Sequence, residues 1–214
     1  MSQTSSPTFF SKLYHFICII IFTLFYTWDR FTSPYTIFRN FLFLTFITFH
    51  LTWLYFTLSF LNDINGLSYF SKKKLDKLFN IVTAFSLTTF AIFWIMHLQD
   101  PKSMLREGVE IPLPLNLFLH GGVHVVNLLE QVVFNPRKTN NKVSKIFFVV
   151  FLVIYSCFLR FVFLSTGHAI YPFCSKPIGE FSITIFNAIL ITLVGDQIYV
   201  YLSNPGLLDI NKEK

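Results

Sequence analysis

Long apolar runs alternate with short polar stretches along the whole chain. A membrane-spanning helix needs about 20 mainly apolar residues. We predict six such helices, over about residues 10–28, 37–61, 78–98, 113–134, 145–165 and 181–202. Proline and Asn-Gly resist helix continuation, and they lie in the stretches between the runs. The pattern predicts an all-α fold, in which residues 1–214 form a single transmembrane domain.

Two of the predicted helices carry a polar stripe on an otherwise apolar surface. In the fourth helix, steps of three or four residues put the polar side chains on one face: Asn116, His120, His124, Asn127 and Gln131. The second helix has a similar stripe: Thr45, Thr48, Thr52, Tyr55 and Ser59. Polar stripes do not face lipid without a large free-energy cost. They therefore predict an intramembrane polar cavity with the other helices as its walls.

Composition agrees with a membrane protein. Of the 214 residues, 53% are hydrophobic and 13% are charged, whereas a soluble domain has about 25% charged residues. The net charge of +6 is compatible with nucleic-acid binding, but the basic residues lie in short loops between apolar runs. Membrane orientation explains that placement better, so we expect no nucleic-acid partner. The three cysteines have neither a disulfide-framework nor a zinc-site spacing.

The distribution of Lys and Arg predicts the orientation of the helices. The N-terminus, the second and fourth loops and the C-terminus share one side and hold about 11 of these residues. The other three loops hold about five. Because Lys and Arg are enriched in cytoplasmic loops, we expect both termini to be cytosolic. No small-residue cleavage site follows the first apolar run, which we expect to be a retained helix.

Thr45 and His124 are the first candidates for catalysis. Counted from the non-cytosolic side at 1.5 Å per residue, Thr45 lies about 12 Å and His124 about 16 Å into the membrane. They can therefore lie at similar depth on facing helices. A hydroxyl beside a neutral imidazole is the minimal nucleophile–base pair. Thr48 and Thr52 lie deeper on the same stripe, and spacing alone does not exclude either of them as the nucleophile.

The residues by themselves leave two other functions open. His120 and His124 are four apart, which can place two imidazoles on one metal ion of a metal- or haem-binding oxidoreductase. Against this alternative, no carboxylate accompanies them and no second intramembrane histidine pair is present. The other alternative is a non-enzymatic membrane scaffold. Thr and Ser side chains in membrane helices also form hydrogen bonds with the carbonyl one turn back or between helices, with no catalytic role. Asp196 in the sixth helix is expected to be structural.

Several short segments, taken in order, resemble the androgen-induced gene family of six-helix membrane proteins. That family includes the androgen-dependent regulator of tissue-factor-pathway inhibitor. The residues around Thr45 resemble its Leu-Thr-Phe segment, and Gly122-Val123-His124 resembles its Gly-Met-His. The remaining matching segments are Leu61-Asn62-Asp63, Ile92-Phe93-Trp94 with Asp100, Thr166-Gly167-His168, Ile170-Tyr171-Pro172-Phe173 and Ile178-Gly179. The resemblance extends from about residue 41 to about residue 199.

The resemblance implies an activity and a localisation. Characterised members of the family cleave fatty acid esters of hydroxy fatty acids, and relatives include endomembrane proteins such as those of the endoplasmic reticulum. By this resemblance Thr45 is the nucleophile and His124 is the catalytic histidine, with no cofactor. Candidates for substrate or oxyanion support are Asn127, Arg160 and His168.

The chain departs from the family pattern at one position beside the catalytic histidine. The family has a histidine three residues before the catalytic one, where this chain has Gly121. His120 lies four residues before His124 instead, which is a displacement of about 100° around an α-helix.

Overall fold

The computed structural model describes residues 9–32, 42–65, 72–99, 111–134 and 142–202. These residues form long helices connected by turns, with no β-strand among them. We number the helices α1 to α6: Phe9–Thr32, Leu44–Asn65, Lys72–Gln99, Leu113–Phe134, Lys142–Thr166 and Ile178–Leu202. A short 3₁₀ helix, Pro172–Ser175, lies between α5 and α6. The predicted all-α transmembrane fold is confirmed.

The helices mostly extend beyond the predicted apolar runs. The third helix begins at Lys72 rather than at about residue 78, so three consecutive lysines form its first turn. Long Lys side chains reach water from a helix end while their stems remain on apolar surface. The second helix is shorter at its start, because Leu42 and Phe43 form a turn before Leu44. The part of that prediction from residue 37 to residue 41 lies outside the described residues.

Five of the described helices are long and apolar enough to cross a membrane: α1, α2, α3, α4 and α5. In α6, the apolar stretch found among the described residues is shorter, Glu180–Gly195. The whole of α6 nevertheless has 25 residues. At 1.5 Å per residue it is about 37 Å long, which exceeds a hydrocarbon core of about 30 Å.

The third helix is the centre of the bundle. It packs against α2, α4, α5 and α6, while α1 packs on α2 and on the start of α4. Every residue from 82 to 89 of α3 is buried. Small hydroxyl side chains in this stretch allow close helix packing, and the hydroxyls of Thr88 and Thr192 contact each other between α3 and α6. Because α3 is surrounded by other helices here, the polar side chains of this stretch face those helices rather than lipid.

The fourth helix is not a uniform α-helix. It contains two π-helical turns, at Phe118–Gly122 and at Glu130–Phe134. In the first, the amide of Val123 donates to the carbonyl of Phe118, five residues earlier. A Cβ at Gly122 would lie 2.4 Å from the Phe118 ring, so glycine permits this close approach. Each π turn holds one residue more than an α turn, and the side chains that follow are therefore rotated about the helix axis.

A buried ionic cluster connects three helices at one end of the bundle, where α1 begins and α2 and α4 end. We call this the His15 end, and the opposite end the Thr45 end. His15 lies between two carboxylates, with Nδ1 2.8 Å from Asp63 and Nε2 3.1 Å from Glu130. The Tyr55 hydroxyl donates to the other oxygen of Glu130 at 2.6 Å. These contacts satisfy a glutamate with no exposed surface.

Candidate active site

Thr45 and His120 form a hydrogen-bonded pair at the Thr45 end. Thr45 is the second residue of α2 and is buried, while His120 lies in the first π turn of α4. Thr45 Oγ1 is 3.1 Å from His120 Nε2. The other ring nitrogen, Nδ1, is 3.0 Å from the backbone carbonyl of Asn116. A carbonyl only accepts hydrogen bonds, so Nδ1 carries the proton and Nε2 of the neutral ring accepts from the Thr45 hydroxyl.

The His120 ring is held by stacking as well as by hydrogen bonds. It lies on the face of Phe93, with centroids 3.8 Å apart and planes within 17°. Phe93 also stacks with His97. The ring plane is therefore fixed by α3, and its tautomer is fixed by its own helix. A hydroxyl, a base and a group that orients the base are the three parts of an activated nucleophile.

The sequence analysis paired Thr45 with His124, whereas in the structure Thr45 lies beside His120. His124 Nδ1 lies 3.5 Å from the Ser86 hydroxyl, and its ring stacks on Phe90 with centroids 4.6 Å apart. The physical reason is the π turn between residues 118 and 122. The prediction assumed a constant 100° per residue, and the extra residue in that turn changes the faces on which the two histidines lie.

Other hydroxyls of the α2 stripe have structural partners. Thr48 donates to the Leu44 carbonyl at 2.9 Å and lies 3.0 Å from the Thr89 hydroxyl. Thr52 donates to the Thr48 carbonyl at 2.8 Å. These are the one-turn back-bonds by which threonine is commonly accommodated in membrane helices. Thr48 is therefore a less suitable nucleophile than Thr45, whose hydroxyl faces an imidazole.

The predicted support residues have contacts with groups other than Thr45 and His120. Asn127 is fully buried and its Nδ2 donates to Thr52 at 3.4 Å. Thr52 is seven residues from Thr45, or about 10 Å along α2. Arg160 donates to the carbonyls of Cys174 and Lys176 at 2.6 and 2.8 Å, and the exposed His168 lies in the same loop. The side chain of Asp196 is outside the described part of the structure.

A small cavity opens beside the Thr45–His120 pair. Its volume is about 40 Å³, enough for a water molecule, which needs roughly 10–15 Å³ by this measure. Two lining residues that sequence reasoning missed as site residues are Tyr155 of α5 and Tyr171 of the following loop. The Tyr-Pro-Phe segment that contains Tyr171 was already a signal. The lining residues are Leu44, Thr45, Thr89, Ile92, Phe93, His120, Leu152, Tyr155, Ser156, Leu159, Tyr171 and Ile185.

Comparison with protein families agrees with the sequence motifs. Residues 10–204 match the family model described as FAR-17a/AIG1-like protein. The chain belongs to this family. The resemblance to the androgen-induced gene family is therefore confirmed. No curated protein and no solved structure gives a significant match.

Among its described residues, the site of this FAR-17a/AIG1-like protein has no metal-ligand set. Across the described residues, no group of three or more His, Cys, Asp and Glu side chains is arranged to hold a metal ion. Both ring nitrogens of His120 already face protein groups.

Proposed function

We propose that this FAR-17a/AIG1-like protein is an intramembrane hydrolase of lipid esters, with Thr45 as nucleophile and His120 as base. The observation that carries the proposal is the 3.1 Å contact between Thr45 Oγ1 and His120 Nε2 beside a cavity. The protonated Nδ1 of His120 leaves Nε2 as the only ring atom that can take the hydroxyl proton. The chemistry needs no cofactor.

Hydrolysis proceeds in two steps at this pair. Thr45 Oγ attacks the ester carbonyl carbon while His120 Nε2 takes its proton. The C–O bond to the alcohol breaks, and His120 returns the proton to the departing hydroxy lipid. A water molecule then attacks the acyl-threonine ester, with Nε2 again taking a proton, and the carboxylic acid leaves. The proton then returns to Thr45, so enzyme and charge are restored.

The size and lining of the cavity favour a lipid substrate. Its volume of about 40 Å³ is far below the roughly 300–1,000 Å³ of a pocket that encloses a whole ligand. Only the ester group fits there, so the two acyl arms lie between helices or in the bilayer. No charged side chain is among the cavity-lining residues that the structure describes. A neutral ester with two apolar arms, such as a fatty acid ester of a hydroxy fatty acid, suits this site.

We expect His120→Ala to lower kcat/KM for lipid ester hydrolysis by about 10² to 10⁴, the usual contribution of a general base. His124→Ala is the matched control from the same helix, and we expect a smaller loss. Steady-state hydrolysis by both purified variants, with thermal unfolding to verify the fold, checks this prediction. The family resemblance implies His124 as the base. A severe loss in folded His124→Ala, with His120→Ala near wild type, would assign the base to His124 instead.

We also propose that both termini are cytosolic and that the protein resides in the endoplasmic reticulum or a related endomembrane. The asymmetry of Lys and Arg supports the orientation, and family relatives support the organelle. A fluorescent protein fused to the C-terminus tests both parts, since microscopy reports the organelle and protease treatment of sealed vesicles reports the side. A protease-protected C-terminus contradicts the orientation, and a signal confined to the cell surface or mitochondria contradicts the localisation.

A further inference from the structure

The loop between α5 and α6 is fixed over the start of α2. At the end of α5, Gly167 has a φ of 69° and its amide donates to the Phe163 carbonyl at 2.8 Å, which reverses the chain. Arg160 bonds two carbonyls further along the loop. Between these restraints lies Tyr171, whose ring packs edge-on against Phe43. Tyr171 is therefore positioned by the fold and is not a freely moving surface side chain.

The Tyr171 hydroxyl lies at the N-terminus of α2, next to the proposed nucleophile. It accepts a hydrogen bond from the Leu44 amide at 2.8 Å, one of the amides that a helix start leaves without a helical partner. Its oxygen is also within hydrogen-bonding reach of the hydroxyls of Thr45 and Tyr155. The hydrogen bond from the Leu44 amide polarises the Tyr171 phenol and makes its O–H a better hydrogen-bond donor.

We propose that the Tyr171 hydroxyl is the oxyanion donor of this site. The inference rests on the proposed function, because an oxyanion forms only if Thr45 attacks a carbonyl. In the tetrahedral intermediate, the negative oxygen is bound to the carbon that Thr45 Oγ has just joined. A donor within reach of Thr45 Oγ is therefore also close to that oxygen. Tyrosine hydroxyls are among the side-chain donors that stabilise such charge.

The directions of the hydrogen bonds in the cavity favour Tyr171 over its neighbours as the oxyanion donor. Tyr155 donates its proton to the Leu42 carbonyl at 2.6 Å. Ser156 donates to the Leu152 carbonyl at 2.6 Å, and the Thr45 proton goes to His120. Around the Tyr171 oxygen, the Thr45 and Tyr155 oxygens are acceptors, so the Tyr171 O–H is the donor directed into this cluster.

The protonation state of Tyr171 suits the role. Burial raises the pKa of Tyr171 to about 12, although the hydrogen bond from the Leu44 amide opposes that rise. A phenol with this pKa remains protonated at neutral pH and keeps the hydrogen that an oxyanion needs.

The variant Tyr171→Phe tests the role, because it removes the hydroxyl and keeps the ring. We expect kcat of the full-length protein to fall by about 10² to 10³, the usual effect of losing one oxyanion donor, with KM little changed. The matched control is Tyr155→Phe, which removes a hydroxyl that holds the backbone just before α2. If Tyr171 only held the start of α2, both variants would lose activity similarly, and that result would overturn the proposal.

A thiono ester substrate provides a measurement that would not change if Tyr171 had only a structural role. Replacing the carbonyl oxygen of the substrate by sulfur weakens the acceptor at the atom that Tyr171 bonds. We expect wild-type protein to strongly prefer the oxo ester, and Tyr171→Phe but not Tyr155→Phe to lose that preference. If wild-type protein hydrolyses the oxo ester and the thiono ester at a rate ratio near one, the proposal is overturned without any variant. A Tyr171→Phe protein that fails to fold therefore does not leave the proposal untested.

Parallel measurement of Thr45→Ala separates the two proposals. Wild-type hydrolysis by folded Thr45→Ala would overturn the proposed function and the role of Tyr171 together. An inactive Thr45→Ala beside a fully active Tyr171→Phe would overturn only the oxyanion role.

Discussion

Replacing Thr45 with alanine is expected to abolish lipid ester hydrolysis and to leave the helical bundle folded. Loss of a nucleophile that works with a base typically lowers kcat by on the order of 10⁴ to 10⁶. The stability cost is smaller, because the change deletes one hydroxyl and leaves His120 Nε2 without its partner. An unsatisfied buried acceptor costs about 1–3 kcal/mol, and a water molecule in the adjoining cavity reduces that cost.

The measurement combines turnover with covalent labelling. A fluorophosphonate probe should label wild-type protein at Thr45 and fail to label Thr45→Ala, as judged by mass spectrometry of the labelled peptide. Thr45→Ser keeps the hydroxyl and should retain part of both signals. The matched control is Thr48→Ala, which removes a back-bonded hydroxyl one turn further along the same face. Folded Thr45→Ala with wild-type turnover would exclude Thr45 as the nucleophile.

Hydropathy predicted the helices well because the apolar run that forms each helix is a local property of the chain. A run of about 20 apolar residues satisfies its backbone only as a helix in lipid, whatever it packs against. The sequence analysis left the lysines at the start of α3 outside the helix because they precede its apolar run. A helix continues through them because its terminal turn lies where long side chains reach water.

The candidate site was only partly predictable because its geometry depends on one irregular turn. The stripe on α4 correctly predicted a polar face, and Thr45 was placed opposite an imidazole. The imidazole that lies beside Thr45 differs from the one paired with it in the sequence analysis because Gly122 permits a π turn. A pattern with a period of 3.6 residues does not include that turn. Tyr171 was missed as a site residue because its approach to Leu44 spans 127 residues of sequence.

The ionic cluster at the His15 end was also beyond local reasoning. His15, Asp63 and Glu130 belong to three different helices, and nothing in their spacing along the chain connects them. Each lies near the end of an apolar run, where a charged side chain is ordinarily assigned to the membrane surface. The packing of α1 against α2 and of α2 against α4 brings them together instead.

Replacing His15 with alanine is expected to give the largest loss of stability among the changes considered. The Glu130 side chain is fully buried, and the substitution leaves it and Asp63 without the imidazole that lies between them. Removing one partner of a buried ion pair typically costs about 3–5 kcal/mol, because the remaining charge stays desolvated. The bond from Tyr55 to one oxygen of Glu130 remains.

Reversible unfolding in mixed micelles measures this cost, and His50→Ala provides the matched control. His50 is a half-buried histidine of α2 whose Nδ1 bonds the Phe46 carbonyl of the same helix, and we expect a clearly smaller effect there. In the double variant His15→Ala/Glu130→Gln, part of the stability should return, since no ionised glutamate is then left in the interior. Catalysis per folded molecule should change little, because Tyr55 lies ten residues, or about 15 Å of helix, from Thr45. A His15→Ala protein as stable as His50→Ala would show that the cluster does not hold α1 to the bundle.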